Sequence, residues 1–107
     1  MTGYTVADVA NHPNRSQANR SIAGNPKPAE ILRAREGAGL TQQQAAELLH
    51  TSWRTWQNWE ADGPENRRMP PAAWELFNIK LAARKLVDAG ELTPAQLRRL
   101  GVHLPLE

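Results

Sequence analysis

Apolar positions in this chain recur three and four residues apart from Pro28 onward, and no stretch alternates in the manner of a strand. The spacing predicts five helices. Pro28, at a first helical position, opens the run Ala29 to Glu36, which Gly37 and Gly39 close. Thr41 caps a second run in which Ala45, Ala46, Leu48 and Leu49 form an inward stripe, with Gln42, Gln43, Gln44 and Glu47 facing out. Ser52 caps a third. There Trp56 and Trp59 point inward, leaving Trp53, Arg54, Thr55, Gln57 and Asn58 on the outer side. The loop Ala61 to Pro70 contains Gly63-Pro64, a break. Pro71 opens a longer helix, Ala72 to Ala89, ended by Gly90. Thr93-Pro94 with Gln96 reads as a capping box over a last short helix that Gly101 stops.

The second and third helices meet at a tight corner, and the outer side of the third is unusual. It collects an Arg, an Asn and a Gln, whose planar polar groups match the hydrogen-bonding edges of bases in the major groove. Arg54 and Asn58, four residues apart, point the same way. An Arg can grip guanine bidentately, and an Asn can do so with adenine, although either can also meet phosphate. The pattern is that of a helix-turn-helix. Gln57 and Thr55 flank these readers. Trp53 has two readings: its ring packs on a thymine methyl and sugar, or folds back on the preceding helix. Gln42 stands where backbone N–H groups and the positive end of a helix meet a phosphate. Arg67 and Arg68 are placed to clamp another phosphate from the loop. Trp56, Trp59 and Trp74 read as core.

The segment resembles the lambda-repressor-like (Cro and XRE) family of DNA-binding domains over roughly residues 29 to 81. The residues carrying the likeness are Thr41, Gln42, Ala45-Ala46, Ser52 and Trp59-Glu60. In residues 51–60, TSWRTWQNWE, and 67–77, RRMPPAAWELF, it is also similar to small phage and plasmid repressors, including anti-CRISPR-associated repressors and Kor-type regulators. The resemblance implies an all-α, five-helix domain, a phosphate contact for Gln42, and an ion pair between Arg35 and Glu60 that bridges the first and third helices. One position departs from the family: the corner usually carries Gly, and here it is His50. A His at positive φ is uncommon but allowed, so a local difference in the turn is expected.

Composition changes the picture only modestly. The 107 residues suit one domain, and the net charge of +2 would not by itself announce a nucleic-acid partner. Residues 1–28 are rich in Asn, Ser, Pro and Gly, with a possible helical turn at Thr5 to Ala10. They set Arg15, Arg20 and Lys27 against the lone acid Asp8, and read as a flexible basic arm before a domain spanning 29–107. The absence of cysteine fits a reducing interior, and no apolar stretch approaches membrane-spanning length. The expectation is a soluble protein of the bacterial cytoplasm, associated with the nucleoid.

Catalytic chemistry finds no support in the spacing. His12, His50 and His103 lie in three segments without metal-ligand spacing, and there is no nucleophile elbow or phosphate loop. The reading is of no enzyme, no cofactor and no metal. Leu76, Phe77, Ile79, Leu81, Leu86 and Val87 cover more than one face of the long helix, while Leu92, Leu97, Leu100, Val102 and Leu104 add apolar surface near the end. That excess suggests a homodimer built on the C-terminal helices. Leu106-Glu107 can be a cloning remnant. The expected function is transcriptional repression at an inverted-repeat operator in double-stranded DNA, including the protein's own promoter. The alternative is an antitoxin whose arm wraps a toxin while the same motif represses the operon.

Overall fold

The computed structural model describes residues 24–105. The expected turn at Thr5 to Ala10, the arm residues Arg15 and Arg20, His12 and the terminal Leu106-Glu107 lie outside the described residues. Within them the fold is all-α: α1 (Pro28–Gly37), α2 (Gln42–Leu48), α3 (Trp53–Glu60), α4 (Pro71–Asp88) and α5 (Pro94–Arg99). The predicted starts hold because each is chemically specified. Thr41 and Thr93 each accept from the N–H three residues on, at 3.0 and 3.1 Å, while Gln44 and Gln96 reach back to the cap N–H, two reciprocal capping boxes. Ser52 caps α3 through the N–H of Thr55 at 3.0 Å. Pro28 and Pro71 open α1 and α4, where a missing N–H costs nothing.

Four of the five helices end alike. In each, the N–H two residues beyond the cap returns to a carbonyl in the last turn: Leu40 to Arg35, Thr51 to Ala46, Glu91 to Leu86 and Val102 to Leu97. This closure requires a residue in the left-handed region. Gly39, Gly90 and Gly101 supply it three times, and His50, at φ 56°, supplies it at the α2–α3 corner. The turn therefore follows the same geometry as its glycine counterparts. A side chain there costs of order 1 kcal/mol relative to glycine.

The core lies between α1, α2, α3 and α4. Ile31, Ala45, Ala46, Leu48, Trp56, Trp59, Met69 and Phe77 are buried together, and Leu49, Leu81 and Leu104 pack on them from the side. Trp56 is its centre, with ring centroids 5.6 Å from Trp59 and 4.9 Å from Phe77. Trp74 is only partly buried: it packs against the edge of this core, stacked on Phe77 one turn further along the same helix. Lys80 was not anticipated. Only 3% exposed, it stretches its ammonium to the Leu48 carbonyl at the C-terminal end of α2, at 2.5 Å. There it offsets an orphan acceptor and the negative end of the helix. Burial holds its pKa below the ordinary lysine value.

The boundary at residue 28 shifts. Pro26 is buried and Asn25 donates to the Met69 carbonyl at 2.8 Å, so the last residues assigned to the arm belong to the folded unit. No helix among the described residues is long and apolar enough to cross a membrane.

Because Trp56 is fully enclosed by large side chains, Trp56→Ala should destabilise the domain by about 3–5 kcal/mol. Urea denaturation followed by circular dichroism measures this. A loss below about 1 kcal/mol would remove that ring from the centre of the core.

Candidate nucleic-acid interface

The outer face of α3 is positioned by what lies beneath it. Glu60, at the last residue of the helix, turns its carboxylate inward, where the side chain is 6% exposed. Arg35 on α1 grips it through Nε at 2.6 Å and Nη2 at 3.1 Å. Trp56 donates its indole N–H at 2.5 Å, and Gln42 on α2 donates from Nε2 at 2.9 Å. Arg35 spends a further N–H on the Leu40 carbonyl at 2.9 Å, fixing the α1–α2 connection. One carboxylate thus joins three helices, and the pair expected from the family resemblance is present as a two-pronged bridge. Burial alone would push the Glu60 carboxyl up. The hydrogen bonds from Arg35, Trp56 and Gln42, with the charge of Arg35, outweigh it and hold the group below the ordinary carboxylate value. The bond to Glu60 raises the Arg35 guanidinium in turn, against its own burial.

This network reassigns Gln42. It begins α2 as expected, yet its amide lies between Glu60 and Trp53, whose indole N–H points at Gln42 Oε1 from 3.5 Å. The amide is a strut between helices; any phosphate contact at this end of α2 falls to backbone N–H groups or requires the amide to turn. Trp53 leans back toward α2, as one of the two readings made for it has it, and stays 51% exposed. Thr55 is half-buried, and its hydroxyl oxygen accepts from Ser52 Oγ at 2.9 Å, so it completes the cap.

Arg54 is exposed, and Gln57 and Asn58 are half-buried along the same helix. The side chains of Arg54 and Asn58 are bonded to no other described residue, which leaves a guanidinium and an amide four residues apart without internal work. The loop after α3 is stitched back onto the helix end. Arg67 donates its backbone N–H to the Asn58 carbonyl at 3.0 Å, and Asn66 Nδ2 reaches the Ala61 carbonyl at 2.9 Å and that of Asn58 at 3.3 Å. Asn66 thereby takes the place of the glycine closure that α3 lacks. The consequence is that Arg67 and Arg68, both exposed, are held beside α3. They line a groove of about 360 Å³ with Lys27 and the segment Gly24 to Pro28. Three cations from two distant parts of the chain converge there, suited to a phosphate.

Sequence reasoning singled out Arg54, Asn58, Arg67 and Arg68 and did not single out Asn66, Asn25 or the convergence of Lys27. An Asn in a polar loop carries no local sign of what it will cap, since its partners are up to 44 residues away. Among the described residues, no three His, Cys, Asp or Glu side chains cluster as a metal centre.

The depressed Glu60 carboxyl gives a stability contribution that is complete above the ordinary carboxylate pKa of about 4.3 and is lost as pH falls through the lower folded value. Glu60→Ala should cost about 3–5 kcal/mol at neutral pH by stranding Arg35, and should flatten the acid limb of the stability curve. An unchanged acid limb, read by denaturation at several pH values, would mean that other carboxylates govern acid unfolding.

No protein-family model matches this chain, and no curated protein matches it significantly.

Proposed function

We propose that this protein is a sequence-specific DNA-binding repressor that lays α3 in the major groove of an operator, acting in the bacterial cytoplasm. The observation that carries the reading is the state of α3. Its inner side and C-terminal end are locked by the Glu60 network and the Asn66 cap, while Arg54 and Asn58 remain uncommitted to any described residue outside, beside half-exposed Trp53. A rigid helix that presents a guanidinium and an amide on one side suits direct readout of bases. The basic groove of Lys27, Arg67 and Arg68 beside it suits the flanking phosphates. The likeness to lambda-repressor-like domains points the same way, and repression follows from a bound protein occluding the promoter, including its own.

A homodimer is part of the proposal. Leu97 is buried and Leu104 packs on the core, so much of the apolar surface near the C-terminus is used within one chain. At that end Leu100 stays 71% exposed, but the larger contiguous excess sits on α4, where Leu76, Ile79 and Leu86 lie on one side and Ile79 is 58% exposed. That stripe suits a two-fold contact better than the tail does.

A gel shift with the gene's own upstream region tests the reading. Arg54→Ala should cost about 1–3 kcal/mol of affinity and relax preference at one base pair. Arg68→Ala should weaken all sequences alike and reduce the salt slope by about one per phosphate lost. If Arg54→Ala also weakens all sequences alike, Arg54 holds phosphate instead of a base; if the wild-type protein shifts no DNA, the proposal fails.

The dimer predicts an inverted repeat with half-sites about 34–36 Å apart. Ile79→Glu should leave helicity intact, yield monomers by sedimentation and make operator binding fall steeply on dilution. A dimeric Ile79→Glu variant would move the interface off α4.

A further inference from the structure

The fold brings together two histidines that lie 53 positions apart in sequence. His50, at the α2–α3 corner, and His103, on the tail after α5, are both exposed, with ring centroids 5.4 Å apart and planes inclined by 38°. Their separation has a chemical meaning. With metal–nitrogen bonds of about 2.0–2.1 Å, two imidazoles sharing one tetrahedral ion have centroids roughly 5 Å apart. The rings already stand at that separation, tilted rather than stacked face to face, and reorientation of two exposed side chains would turn a nitrogen from each toward a common point.

The corner position strengthens the case. Three other helices of this domain close with glycine in the left-handed region, and the α2 corner alone uses a residue with a side chain. That side chain is an imidazole, and it meets the only other histidine among the described residues. An outlier of this kind, present where glycine would be easier, points to use of the ring. The tail that brings His103 is itself anchored. Leu104 packs on the core, and Pro105 lines a small groove with Leu40, Gln44, Glu47, Leu48 and Arg84. The second ring is thus presented by a docked segment.

We propose that His50 and His103 form a two-ligand site for a divalent transition ion of the zinc, nickel or copper class. Two neutral imidazoles suit these borderline ions, whereas magnesium and calcium require oxygen. Among the described residues no third His, Cys, Asp or Glu completes a cluster, so water fills the remaining positions and the ion exchanges readily. Bound, it ties the C-terminal tail to the corner that leads into α3. The site stands on geometry alone and does not depend on the DNA-binding reading.

The test is a calorimetric titration of the full chain, without any added polyhistidine, with Zn²⁺ in slightly alkaline buffer where imidazole is neutral. One ion per chain should bind saturably. His50→Asn, which keeps a residue tolerant of the left-handed region, and His103→Ala should each weaken binding at least tenfold. The double variant should bind more weakly than either single one, since each single variant still offers the ion one imidazole. His12→Ala should leave binding unchanged. With Co²⁺ added to the unaltered protein, the ring-proton resonances of His50 and His103 should shift together while those of His12 stay, a readout that no variant's folding can confound. Absence of saturable binding, full binding by either single variant, loss with His12→Ala, or separate behaviour of the two rings would each overturn the site.

Discussion

The carboxylate of Glu60 is the group on which the rest of the arrangement depends. Burying an anion is costly unless its lone pairs are filled, and here they are filled by donors from three helices: Arg35 of α1, Gln42 of α2 and Trp56 of α3 itself. Each donor is directional, so the three helices can satisfy the charge only in one relative placement. Hydrophobic contact among Ile31, Ala46, Trp56 and Phe77 supplies most of the driving force, but it is tolerant of small rotations. The ion network is not. It selects one orientation of α3 from those the apolar core would accept.

That selection matters for the outer side of the same helix. A side chain that reads a base edge must be held to a fraction of an ångström, which short helices on loops do not achieve unaided. α3 has only eight residues and gains its rigidity from three attachments: the Ser52 cap at its start, the Glu60 network beneath, and the Asn66 cap at its end. Polar residues whose types would suit DNA, such as Gln42 and Thr55, are spent on this scaffold. Arg54, Gln57 and Asn58 are what remains on α3. Lys80 extends the same logic to the other side of the corner by holding the last carbonyl of α2 from within the core.

Local chemistry made much of this legible in the chain itself. A hydroxyl followed three residues later by Gln, a proline at the first helical position, a glycine after the last apolar residue and tryptophans three apart each act within one or two turns, so they specify the five helices and the inward faces of α2 and α3. The Arg35–Glu60 bridge was reachable only through the family resemblance, because its partners are 25 residues apart and nothing near either one announces the other.

What the tertiary structure alone decided are the meetings between distant polar groups. Periodicity placed Gln42 and Trp53 on outer faces, but only the angle between α2 and α3 determined that they face each other. Lys27 joined Arg67 and Arg68 because Asn25 is bonded to Met69, 44 residues on. His50 met His103 because the tail folds back over α2. The reason is the range of the forces. Propensity, capping and amphipathicity are properties of neighbours and can be read along a line, whereas hydrogen bonds and ion pairs between helices depend on packing that the whole core must settle first.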